Sequence, residues 1–197
     1  MKDFREAASF VIDQYLYEST DPERPDPALL DRNSDISSAT IHHHLVTEPH
    51  KDRDVRYILA NHNNISPDTI HHLLVTKPDT DPRVRHNLAY NKNISPDTLH
   101  HLLVTEPDLE KDFQVPGSLA FNDKIHTDTI HHALVTEPHK DRDVRRHLAR
   151  SRNISPDTIH HALVTKPDKD SGVRRALASN NKIRQDTKDA YNKSLAK

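Results

Sequence analysis

The residues whose type most suggests chemistry are the 17 histidines, ten of which stand as adjacent pairs: His42-His43, His71-His72, His100-His101, His131-His132 and His160-His161. Imidazole binds metals and titrates near neutrality. Neighbouring residues on a helix point about 100° apart, so one pair cannot close on a single ion as an i, i+4 pair does. Packed helices lie ~8–10 Å apart, whereas two imidazoles sharing a zinc must each approach to about 2.0–2.1 Å. The first histidine of each pair is therefore expected at a seam between copies of a repeat, hydrogen-bonding a neighbour. A metal row and a pH-sensitive ligand surface are the alternatives. A seam of buried neutral imidazoles would make the chain acid-sensitive.

A second row is Arg56, Arg85, Arg145 and Arg174, interrupted by Pro116. Its place on the buried arc of a helix predicts an internal ladder to carbonyls or capping aspartates. Signatures of catalysis are missing: the chain has no Gly-rich phosphate loop, no nucleophile elbow and no His-Glu-x-x-His. Asp and His abound only as parts of the repeat. A non-enzymatic chain without cofactor is expected. Zero Cys excludes disulfides and Cys-ligated zinc or iron–sulfur clusters, and fits a reducing cytosol. No apolar run nears the ~18 residues of a membrane helix, and without a positively charged start followed by an apolar stretch no secretory leader is expected. A cytoplasmic protein away from membranes is expected.

These residues are positioned by a repeat. The isoleucines Ile36, Ile65, Ile94, Ile125, Ile154 and Ile183 are separated by 29, 29, 31, 29 and 29 residues. A fixed period in this range marks a solenoid or array. The long step is a two-residue insertion at 109–111, between the halves of the third copy. Each copy predicts two short helices. The first starts at a capping serine followed by proline, as at Ser66-Pro67. It runs through Ile70, Leu74 and Val75 and stops before Pro78. A wheel places Ile70, His71, Leu74 and Val75 within an arc of roughly 140°. The second is capped by Asp52, Asp81, Asp112, Asp141 or Asp170 and continues as Val84, Arg85, Leu88 and Ala89 do. It ends in an Asn-rich turn, read as a left-handed helix stop. About six apolar side chains per copy, at ~1.5–3 kcal/mol each, cannot fold 29 residues alone. Stacked copies can, because each covers its neighbour.

The phrase Asp81-Pro82-Arg83-Val84-Arg85, then Leu88-Ala89, Asn91, Ser95-Pro96 and Leu99, resembles the leucine-rich repeat variant family over residues 36–183. The resemblance implies a curved, right-handed, all-helical solenoid, more distantly similar to HEAT repeats. The present repeat is longer, and the first His of each pair stands where that family has Leu. The Cys-ligated cluster of some members is not carried over. The expected fold is thus an all-α, right-handed α-solenoid of about five 29-residue two-helix repeats. Residues 1–35 form a capping helix and Pro-rich linker, 36–182 the solenoid, and 183–197 a capping half-repeat.

Internal copies answer one structural problem five times, so positions that vary face solvent or a ligand. Two residues after the valine come Tyr57, His86, Gly117, Arg146 and Arg175. Six after it come Asn61, Tyr90, Phe121, Arg150 and Ser179. Aromatic residues beside arginine are the composition of a protein-binding hot spot. The expected contact row is Tyr57, His86, Tyr90, Phe121, Arg146, Arg150 and Arg175, on a scaffold for an unidentified protein partner. Charge is segregated: residues 1–138 hold 13 basic and 23 acidic side chains, net −10, and residues 139–197 hold 15 and 7, net +8. The alternative partner is therefore nucleic acid, held by the Arg-rich C-terminal third.

Overall fold

The computed structural model describes residues 36–105 and 114–196, with residues 114–116 described by their helix only. The capping helix and linker expected over 1–35, the insertion at 109–111 and the Asp112 cap lie outside the described residues. Every described element is helical, and helices pack in repeated pairs; no strand occurs among the described residues.

The chain divides into two compact units, Met1–Ser95 and Pro96–Lys197. The first holds α1 (Ser38–His42), α2 (Arg53–Asn61), α3 (Pro67–His71) and α4 (Pro82–Tyr90). Here α2 packs on α4, and the turns that follow α1 and α3 touch. The second unit holds α5 (Pro96–His100), α6 (Gln114–Ala120), α7 (Thr127–His131), α8 (Arg142–Leu148), α9 (Pro156–His160), α10 (Ser171–Ala178) and α11 (Gln185–Leu195). Within it α8 packs against both α6 and α10, and α11 closes on the turn after α9.

The caps lie where the residue types demand. Ser66 Oγ accepts the Thr69 amide at 3.1 Å, with Pro67 in the first turn, where its missing N–H costs nothing. Asp52 and Asp141 accept the amides of Asp54 and Asp143 at 2.8 and 2.6 Å. The amides of Val173 and Gly172 hold the Asp170 carboxyl below the usual carboxylate range.

Each first helix ends in a π turn: His43–Thr47 and His72–Thr76 in the first unit, His101–Thr105, His132–Thr136 and His161–Thr165 in the second. The Lys77 amide reaches His72 O, five residues back, at 2.8 Å, and the Asp79 amide reaches Leu73 O at 3.1 Å. Isolated π turns often mark functional sites. One in every described first helix is instead a rule of this architecture.

Two expectations need correcting. The buried stripe of α3 and the π turn after it is Thr69, Ile70, Leu73 and Leu74, while His71 and Val75 are only half-buried. The arc of Ile70, His71, Leu74 and Val75 leaves out Thr69, whose hydroxyl is satisfied inside, and so turns the face by about one residue. The six threonines at this position, Thr40 to Thr187, are all buried. Second, the asparagines do not stop helices by left-handed geometry. No non-Gly residue among those described has positive φ, and Asn91 follows α4 with φ −64° and ψ 131°. Their side chains stitch copies together instead. Asn91 Nδ2 donates to Ala60 O at 2.9 Å and Asn93 Nδ2 to Ile65 O at 2.9 Å. In the second unit Asn180 Nδ2 donates to Ala149 O at 2.9 Å and Asn153 Nδ2 to Ile125 O at 3.0 Å. Asn is used because one side chain can donate backwards while its oxygen accepts a local amide, as Asn91 Oδ1 does from Asn93 N at 2.8 Å.

Candidate functional site

The arginine row is an internal ladder in which Arg56 and Arg145 pair with aspartates, while Arg85 donates to Asp79 O and Arg174 to Asp168 O. In the first unit Arg56 Nε donates to Asp79 Oδ2 at 2.9 Å and its Nη1 to His50 O at 2.7 Å. In the second, Arg145 Nε donates to Asp168 Oδ2 at 2.7 Å, and Nη2 donates to Oδ1 at 3.2 Å. Arg174 Nη1 donates to Asp168 O at 2.6 Å. Each carboxylate also accepts the amide two residues on, Asp81 N at 2.8 Å for Asp79 and Asp170 N at 2.8 Å for Asp168. Where proline replaces the arginine, at Pro116, the next copy carries His139 in place of aspartate. His139 Nδ1 accepts the Asp141 amide at 3.1 Å, doing the carboxylate's local task without its charge. Burial holds His139 below the usual imidazole pKa. Grooves of about 250 and 460 Å³ open beside the Arg56–Asp79 and Arg145–Asp168 pairs. The guanidinium groups of these two pairs are already matched by carboxylates.

The histidine row sits at the seam. In the first unit His42 Nδ1 lies 2.9 Å from Thr69 Oγ1, itself 2.8 Å from Ser66 Oγ. In the second, His100, His131 and His160 meet Thr129, Thr158 and Thr187 at 3.0, 2.9 and 2.9 Å. The rings therefore have protein partners across copies. No cluster of three or more His, Cys, Asp or Glu among the described residues could hold a metal ion.

The proposed contact row falls on the second helices of both units. In the first, Tyr57 lies on α2, and His86 and Tyr90 on α4. Tyr57 is 42% and Tyr90 64% exposed, while His86 is half-buried. In the second unit Phe121, at the end of α6, is 61% exposed. Its ring lies against His147 of α8, with centroids 3.9 Å apart and planes tilted 44°. Arg146 is half-buried on α8, and Arg150 and Arg175 are exposed.

These last three arginines meet at one place. A cavity of about 540 Å³ in the second unit is lined by Arg146, Arg150, Arg152, Arg175, Ser179 and Asn181, among others, and none of its lining residues is acidic. Arg146 Nη2 pairs with Asp143 at 3.0 Å, but its Nε is buried without a hydrogen-bond partner. Arg150, Arg152 and Arg175 make no side-chain hydrogen bond or ion pair with a described residue. Burial, then the charges of Arg146 and Arg150, push the His147 pKa down. Gly172 also lines the cavity, and a Cβ there would stand 3.9 Å from Arg146 Cδ and 2.9 Å from the capping Asp170 oxygen. Reading copy-to-copy variation found three of the four arginines. Arg152 lies outside the two variable positions; only the net +8 of residues 139–197 pointed towards it.

Against known proteins, the chain matches no family model, no curated relative and no solved structure.

Proposed function

We propose that this chain is a non-enzymatic protein-interaction scaffold of the leucine-rich repeat variant type, built as a right-handed α-solenoid of about five 29-residue units. The observation that carries the reading is the exposure of Tyr90 and Phe121, at 64% and 61%. Both occupy the same repeat position, six residues after the valine, which is Asn61, Arg150 or Ser179 in the other copies. The repeat does not need an aromatic residue there. The aliphatic side chains at the valine and leucine positions of the second helices are buried, as Val84, Leu88, Val144 and Leu148 are. An aromatic side chain left in water, as Tyr90 is at the end of α4 in the first unit and Phe121 at the end of α6 in the second, is the composition of an anchor for a protein partner. The charged and polar groups that could suggest catalysis engage one another, Arg56 with Asp79 and Arg145 with Asp168, and the first histidines with threonines of the next copy.

The test is capture of partners from cell lysate, with and without nuclease, using wild type and the double variant Tyr90→Ala/Phe121→Ala. The scaffold reading expects a protein that survives nuclease and is lost with the aromatic pair. Capture that disappears with nuclease would replace it by nucleic-acid binding.

A further inference from the structure

We infer that the arginine cavity between α8 and α10 receives a phosphorylated side chain, phosphoserine or phosphothreonine, of a protein segment that rests an apolar residue, a few positions away, on Phe121. This deepens the scaffold reading and rests on it.

The charge is concentrated and unspent. Four guanidinium groups line one cavity of about 540 Å³ with no acid among the lining residues. Among the described residues only Arg146 has a carboxylate partner, through one nitrogen. The ladder arginines of the same unit, by contrast, are bound to carboxylate or carbonyl oxygens. The ladder arginines each have fixed oxygen acceptors, whereas Arg150, Arg152 and Arg175 have none among the described residues. Like charges held together cost free energy unless a counter-charge joins them. The buried, unbonded Nε of Arg146 adds an unmet donor.

The cavity's chemistry matches a phosphate monoester. Such a group carries about −1.5 to −2 charges at pH 7 and three strong acceptor oxygens. Arginine pairs with it bidentately. Ser179 and Asn181 supply further polar groups on the same wall. Gly172 keeps the wall beside Arg146 free of a side chain.

The surroundings favour a peptide over a nucleic acid. Residues 96–138 of the same unit hold 2 basic and 8 acidic side chains, net −6, so a strand of regularly spaced phosphates that ran from the cavity towards that half would meet like charge. Phe121, on the neighbouring α6, has one face against His147 and the rest exposed. An apolar ledge on the α6 side of α8 and a basic pocket on its α10 side suit a peptide that crosses α8 with one phosphate and a hydrophobic residue a few positions away.

The test uses the full chain and three probes: a degenerate dodecapeptide pool with central phosphoserine, the same pool with serine, and a twelve-residue oligothymidylate. Binding is read by fluorescence anisotropy, and the arginine Nε–H signals by NMR. The expected result is retention of the phosphoserine pool at least about tenfold over the serine pool, as charge-assisted pairing supplies. That preference is lost in Arg150→Gln/Arg175→Gln, whose exposed changes leave the helical circular dichroism intact. The Arg146 Nε–H signal shifts with the phosphoserine pool alone. Equal retention of both pools overturns the inference, and so does an oligothymidylate that binds more tightly than the phosphoserine pool. If the phosphate preference is absent while Tyr90→Ala/Phe121→Ala still abolishes partner capture, the phosphate site falls and the scaffold stands. If nuclease abolishes capture, both fall.

Discussion

Arg145 Nε and Asp168 Oδ2 meet at 2.7 Å across a separation of 23 residues, with only 12% and 4% of their side chains exposed. The same contact joins Arg56 to Asp79 in the first unit, at 2.9 Å. Each pair links the second helix of one copy to the loop of the next. Because the charges are buried, the partners depend on each other more than the pair helps the fold.

This dependence gives the first prediction. Arg145→Ala leaves the Asp168 carboxylate buried and half-satisfied, and is expected to cost about 3–5 kcal/mol. Asp168→Asn keeps the oxygen that caps Asp170 N and removes the charge, so it costs less. Adding Asp168→Asn to Arg145→Ala recovers part of the loss. Urea denaturation of the four proteins of the cycle measures this coupling; strictly additive losses would show that the pair is not coupled.

Asparagine 180 separates two physical roles. If it served a left-handed turn, glycine would replace it well. Its observed role is a cross-copy donor to Ala149 O and an acceptor for Lys182 N at 2.9 Å. Asn180→Gly is therefore expected to destabilise at least as much as Asn180→Ala, each by about 1–3 kcal/mol for the buried groups left unpaired. A glycine variant as stable as wild type would return the residue to a helix-stop role.

Acid sensitivity is expected from His139. Burial lowers its pKa below the usual 6.5. As pH falls through that value the unfolded chain takes up a proton that the folded chain refuses, so stability is present above it and declines below. Protonation also removes the Nδ1 acceptor for Asp141 N. His147, shifted the same way, adds to the slope. His139→Asn keeps an acceptor and should flatten the fall in melting temperature between pH 7.5 and 5.5. His139→Asp should be worse than Asn at pH 7.5, since the position that would supply its guanidinium is Pro116. Identical slopes for wild type and His139→Asn would remove His139 as a cause.

Legibility followed the distance over which each cause acts. Ser66, Pro67 and Asp81 could be read as caps because their partners lie within three residues. Val84, Leu88 and Ala89 declared themselves by spacing, and all three are fully buried. Thr69 did not, because a hydroxyl belongs inside only when partners arrive, and one of them, His42, comes from 27 residues away. Asn91 was misread for the same reason, with its carbonyl partner 31 residues back. The π turns were hidden because ten residues of Thr-Ile-His-His pattern fit an α-helix as well. At the candidate site, copy-to-copy variation pointed to Arg146, Arg150 and Arg175, but not to their convergence on one cavity, which depends on the packing of α8 against α10.

The most direct measurement of the central claim is hydrogen–deuterium exchange on the full chain with and without its captured partner. The scaffold account predicts slowed exchange in the second helices that carry the contact row, Arg53–Asn61 and Pro82–Tyr90 in the first unit, Arg142–Leu148 and Ser171–Ala178 in the second. The π turns, such as His72–Thr76 and His132–Thr136, should be unchanged. Protection confined to those turns, with none on the second helices, would contradict it.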